Sequence, residues 1–250
     1  MIVAASTECF SHLSLRDAIT KLVDLEFSSV EISMHEHGNH LKPSAVAADL
    51  DQAIDICLNT RRLDIVAFSV DCAAEGEEFF EQFDACCKLA RATKVVTITV
   101  PSAEFGTPFN EEVERLRKLV YIAETHGVRV SIKSQTGRVS EDPDTVGVLC
   151  NNVPGLGLTL DPSHYICGPH AGRNIDRLLK YVHHVQLRDT SKEELQVRIG
   201  QGEIEYGKLI SQLRKEGYHR ALTVDIKPMD DVDHMGELRK MRLLLESLLL

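Results

Sequence analysis

The chain has 250 residues, a formal net charge of −10 with histidine neutral, and the residue mix of an ordinary globular protein. Its seven cysteines are odd in number, unevenly spread and without a Cys-x-x-Cys pair, which argues against a disulfide framework or zinc knuckle and for reduced thiols in a cytoplasm. The acidic balance and the lack of a Lys/Arg-rich run argue against a nucleic-acid partner, and no basic leader or run of about eighteen apolar residues argues for secretion or a membrane.

In chain order, short β-branched apolar runs recur at roughly thirty-residue spacing: 2–6, 30–33, 65–70, 95–100, 128–132, 156–160, 182–187 and 222–226. Each is nearly continuous in hydrophobicity, as a strand of a parallel sheet covered by helices must be. Segments of helical period lie between them. The segment 14–27, SLRDAITKLVDLEF, opens on Ser14 as an N-cap. The segment 110–127 opens on Asn110, carries two acids in its first turn and ends at Gly127. The segment 205–218 turns out at Gly217, and the tail ELRKMRLLLESLLL is amphipathic, covering the barrel or serving a homodimer contact. Eight strands alternating with helices and no low-complexity linker read as one (β/α)₈ barrel over residues 1–250. A doubly wound open sheet is the alternative, because periodicity does not report closure.

In such a barrel, chemistry gathers where strands end. The polar residues at those ends include Ser6, Glu31, Ser33, His35, Ser69, Asp71, Lys133, Gln135, Asp161, His164, Gln186, Arg188, Asp225 and Lys227.

Several stretches carry a resemblance. LGLTLDPSHY, VHHVQLRD, RIGQGEIEYGKLISQLRKEGYHRALTVDI and SLRDAITKLVDLEFSSVEIS resemble, in order and spacing, segments of xylose-isomerase-like barrels. That group comprises sugar isomerases and sugar-phosphate epimerases related to the apurinic-site endonucleases. The resemblance covers essentially the whole chain. It implies a sugar or sugar-phosphate ligand and a divalent cation (manganese, magnesium, cobalt or zinc) held by Glu, Asp, His and Glu from strands five to eight. Position by position these become Lys133, Asp161, Gln186 and Asp225, with His164 three residues after the aspartate.

The departures have chemical weight. A protonated lysine has no lone pair for a metal and repels it, and a neutral amide is a weak ligand. No cofactor is therefore expected; if the family site survives, Asp161, His164, Asp225 and Gln186 are the ligands that remain. Without the metal, Lys133 would occupy roughly its place, paired with Asp161, with Asp225 as the second candidate partner. It is then either an electrostatic substitute or a catalytic group.

The candidate catalytic residues are Lys133, Asp161, His164, Asp225 and Glu31, and the candidate substrate-binding residues are Gln186, Arg188, Arg198, Gln135 and Ser69. For Glu31 the alternative is a rim acid bonded to Ser6 or Ser69; for Arg198, a pair with Asp189. The loop MHEHGNH, with His35, Glu36, His37 and His40, offers transition-metal ligands or only a solvated loop. His184 reads as a hydrogen-bonded interior histidine one layer below Gln186. The function implied is a sugar isomerase or epimerase working by proton transfer near a carbonyl. A metal-independent lyase and a non-catalytic carbohydrate-binding or scaffold relative are the alternatives.

Overall fold

Alternation of buried strands and amphipathic helices closes on itself. The structure, a computed structural model, describes residues 1–250. Its strands are β1 (Ile2–Ser6), β2 (Ser29–His35), β3 (Asp64–Asp71), β4 (Thr97–Val100), β5 (Arg129–Lys133), β6 (Gly157–Leu160), β7 (Val182–Leu187) and β8 (Ala221–Val224). They pair in parallel in sequence order, and β1 pairs with β8 through Ile2 opposite Ala221 and Ala5 opposite Val224. That last pairing settles closure and rules out the open sheet.

The helices are α1 (Leu15–Asp24), α2 (Pro43–Ala48), α3 (Leu50–Leu58), α4 (Gly76–Ala92), α5 (Phe109–Thr125), α6 (Pro143–Asn152), α7 (Ser163–Ile166), α8 (Tyr206–Lys215) and α9 (His234–Leu249). Ser14 caps α1 by accepting the Asp17 N–H. In α5 the start differs from the sequence reading: Pro108 holds the cap and Asn110 lies in the first turn. Gly127 and Gly217 take positive φ just past the ends of α5 and α8, where a side chain would be strained.

Strand residues alternate between the helix-facing side and the barrel interior. The outward set, with Val30, Ile32, Ile98, Ile132, Leu158 and Val185, joins the apolar helix faces in one continuous core. The inward set is unusually polar. Thr159 Oγ1 lies 2.7 Å from Thr99 Oγ1 and 2.6 Å from Ser131 Oγ, hydroxyl pairs that span β4, β5 and β6. Barrel interiors are more often filled by branched aliphatics. Here the Thr99, Ser131 and Thr159 hydroxyls bond one another, which offsets their desolvation.

Gly157 on β6 shows how tightly the strands are dressed. A Cβ there would stand 2.1 Å from His183 Nδ1, so the ring on β7 needs a bare backbone beneath it. Gly157→Ala is expected to lower stability by about 1–3 kcal/mol, read as a shifted urea midpoint with an unchanged slope. An unchanged midpoint would show that the His183 ring simply swings away.

Candidate functional site

The C-terminal ends of the strands enclose a cavity of about 320 Å³. Its lining draws on the ends of five of the eight strands and on residues past the ends of the other three: Glu8 after β1, His35, Ser69 and Asp71, Thr99, Lys133 and Gln135, His164 after β6, Gln186 and Arg188, and Asp225 and Lys227 after β8. Lys133, Gln135, Ser69, Gln186, Arg188, Asp225 and His164 therefore converge, while Asp161 is wholly buried beneath them.

The floor is a charged cluster centred on Arg188. Its Nη2 donates to Asp225 Oδ2 at 3.0 Å and lies 2.9 Å from Asp161 Oδ2, close enough for an ion pair but not aligned as a hydrogen bond. Lys133 Nζ donates to the same Asp225 Oδ2 at 3.1 Å. The sequence reading placed Lys133 between Asp161 and Asp225 and gave Arg188 to the substrate; the pair with Asp225 is present and a pair with Asp161 is not. Arg188 instead is the cation between the two carboxylates, because it directly follows β7, the strand adjoining both β6 and β8, and its planar fork can serve two oxygens. Burial opposes ionisation of Asp225, yet Lys133 and Arg188 hold its carboxyl well below the usual carboxylate range. Asp161 is likewise buried but held low by Arg188, His164 and Lys133. In turn, despite burial, Asp225 holds the Lys133 ammonium above its ordinary value. Four ionised groups thus form a cluster without net charge. Asp225 Oδ1, Gln186 Oε1 and Arg188 Nε within it have no partner.

His164 is held in one tautomer. The Thr136 backbone N–H donates to its Nδ1 at 3.2 Å, and an amide can only donate, so Nδ1 carries no proton and Nε2 carries the hydrogen of the neutral ring. Burial, helped by Arg188 and Lys133, lowers its pKa against the pull of Asp161. His164 therefore stands at the cavity wall as a neutral N–H donor, with Nε2 3.7 Å from Asp161 Oδ2. Such a ring polarises an oxygen and does not accept a proton.

Glu31 does not reach the cavity. It is fully buried in the barrel interior, one layer down. There its Oε2 lies 2.6 Å from His184 Nε2 and its Oε1 accepts from Gln186 Nε2 at 2.7 Å. Neither Ser6 nor Ser69 bonds it; the barrel's slant carries the β2 acid across to β7. It is bonded to Gln186 and His184 and is not among the residues lining the cavity. Arg198 is exposed and outside the cavity lining, and it does not pair with Asp189. The Asp189 carboxylate is taken by the Gly200 and Gly202 N–H groups at 2.7 and 3.0 Å.

The histidine loop also divides. His35 turns inward, with Nδ1 3.3 Å from Glu8 Oε1, while Glu36 accepts from the Ser44 amide and hydroxyl at the start of α2. No three His, Cys, Asp or Glu side chains converge as a metal-holding group. The sequence reading missed Glu8, which accepts from Lys227 Nζ at 2.6 Å and from Ser33 Oγ at 2.6 Å. The available signal was an acid two residues beyond the end of β1, on a rim where polar residues stand at or just past the ends of the neighbouring strands, His35 on β2 and Asp225 after β8.

No helix is long and apolar enough to cross a membrane. A sequence profile described as xylose isomerase-like TIM barrel matches residues 19–246. No curated protein matches the chain in sequence. Among solved structures, it is similar to a xylose isomerase-like TIM barrel protein from Mycobacterium smegmatis in complex with magnesium (TM-score 0.77, 14% identity, covering 99% of this chain and 96% of that one). It is also similar to a probable 3-DHS dehydratase from Bacillus anthracis (TM-score 0.74, 15% identity, 98% and 99% covered). A third is a D-allulose 3-epimerase from Methylomonas sp. (TM-score 0.74, 11% identity, 99% and 98% covered).

Proposed function

The chain belongs to the xylose isomerase-like TIM barrel family, and on that premise we propose that its rim cavity binds a small polyhydroxylated carbonyl compound and moves a proton next to the carbonyl without the family's metal. The observation that carries this reading is the open cavity of about 320 Å³ floored by Lys133, Arg188, Asp161 and Asp225. A retired site would close over its buried charges; this one keeps room for a ligand above them.

The donor set does not fit a divalent ion. The Asp225 oxygen that would ligate it already receives an ammonium and a guanidinium, and Arg188 also faces the Asp161 oxygen. A cation placed there would meet two like charges within a few ångströms. In our reading Lys133 and Arg188 together hold the place of the ion. A substrate carbonyl oxygen would accept from the Lys133 ammonium and from His164 Nε2–H. The proton leaving the adjacent carbon would go to the unpartnered Asp225 Oδ1, its electron pair shifting onto the carbonyl oxygen as an enediolate held by both donors. Return of the proton to the former carbonyl carbon, with the neighbouring hydroxyl proton passing to the first oxygen, completes isomerisation; a proton delivered to the original carbon from the opposite face completes epimerisation. In a lyase the same first step is followed by loss of a β-hydroxyl.

A second reading, a binding protein without catalysis, draws on the same cluster. In the floor, Lys133 is held above its ordinary value and Asp161 and Asp225 below theirs, each moved further from neutral pH, where a proton-transfer group works best. One experiment separates the two. In D2O with EDTA, a panel of ketoses and aldoses is followed by NMR, alongside elemental analysis of the protein after incubation with manganese, magnesium, cobalt and zinc. Deuterium entering the carbon next to the carbonyl, insensitive to EDTA, is the expected result. Binding without exchange favours the second reading. Stoichiometric metal with EDTA-sensitive exchange overturns the metal-free mechanism.

A further inference from the structure

Resting on the carbohydrate reading above, we infer that this site takes an uncharged sugar and discriminates against its phosphate ester. Every cation at the cavity is already engaged by a carboxylate. Lys133 and Arg188 share Asp225, Arg188 also faces Asp161, and Lys227 is bound to Glu8 at 2.6 Å. Asp71 adds a carboxylate at the rim. Three fixed cations thus stand against four carboxylates, inside a chain of net charge −10. An incoming dianion would have to displace an internal carboxylate before gaining any cation for itself.

The backbone offers a phosphate no alternative. Barrels that bind phosphate commonly do so with amides of the loops after the seventh and eighth strands and a nearby helix N-terminus. In this chain carboxylates hold those amides. Asp189 takes the Gly200 and Gly202 N–H groups, and Glu237 Oε2 takes the Ile199 N–H at 2.6 Å. The two helices that follow open on Glu205 and on Asp233. Among the floor atoms left without partners, the acceptors Asp225 Oδ1 and Gln186 Oε1 outnumber the one donor, Arg188 Nε, a balance that suits the hydroxyl donors of a neutral polyol better than a dianion.

The test is ligand-observed NMR on the full chain with free ketopentoses and ketohexoses and with their phosphate esters, at low and moderate salt. Free sugars are expected to bind about ten-fold or more tightly than their esters, with the gap narrowing as salt screens the carboxylates. Glu8→Gln, which releases Lys227, is expected to strengthen ester binding about three-fold or more while free-sugar binding changes less. Esters that bind as tightly as the free sugars, or more so, overturn the inference and leave the carbohydrate reading standing. If neither class binds, both fail together. An ester affinity unmoved by Glu8→Gln would remove the assigned cause of the discrimination.

Discussion

Arg188→Met is expected to destabilise the protein by about 3–5 kcal/mol at pH 7, the usual consequence of stripping the partner from buried charge. Arg188 is itself buried and is the only cation within ion-pair distance of both Asp161 and Asp225. Methionine keeps the stem's packing and removes the charge, so the loss reports electrostatics more than volume. Its pH dependence carries a sign. In the native cluster both carboxyls lie below the ordinary aspartate value of 3.8, so their contribution is fully present above that value and is lost as pH falls through the folded-state values. In the variant two carboxylates share one ammonium, and one of them is driven upward. A carboxyl raised in the folded state contributes stability that is lost as pH rises through its new value. The variant should therefore recover relative to the parent as the pH drops from 7 towards 5, and urea midpoints across that range measure it. Adding Asp161→Asn, which removes one of the two competing charges, should recover a large part of the loss at pH 7. A single variant as stable as the parent at pH 7, or one whose pH profile runs parallel to it, would show that the cluster is held together by something other than Arg188.

Lys133→Met is expected to act on chemistry far more than on stability. The Lys133 side chain is 21% exposed at the cavity edge, and Asp225 retains Arg188 when the ammonium is removed. The stability change should stay near 1 kcal/mol. If the ammonium is the principal donor to a developing enediolate oxygen, deuterium exchange should fall by roughly 10²–10³-fold, the scale of losing one oxyanion donor. The loss should lie in the rate with saturating sugar and little in its affinity, because His164 and Gln135 still line the cavity. Added manganese or magnesium should not restore it. Exchange that survives in Lys133→Met would assign the lysine a purely structural place beside Asp225. Restoration by metal would mean that a latent ion site had been uncovered.

Much of this was legible in the sequence. Continuous β-branched runs bounded by capped amphipathic segments determine eight buried parallel strands and their helices, because burial on both faces and helical period are local properties of the chain. Strand ends could be named for the same reason, and with them Lys133, Asp161, His164, Gln186, Arg188 and Asp225 as one rim. The tertiary structure decided which rim residues meet. Closure of β1 on β8 is a long-range pairing that no periodicity reports. The slant of the strands carried Glu31 across the interior to His184 and Gln186 and away from the ligand. It also set Arg188, and not Lys133 alone, between two aspartates from the neighbouring strands. A carboxylate's partner depends on which strand end lies within about 3 Å of it, and that distance is fixed only when the barrel closes.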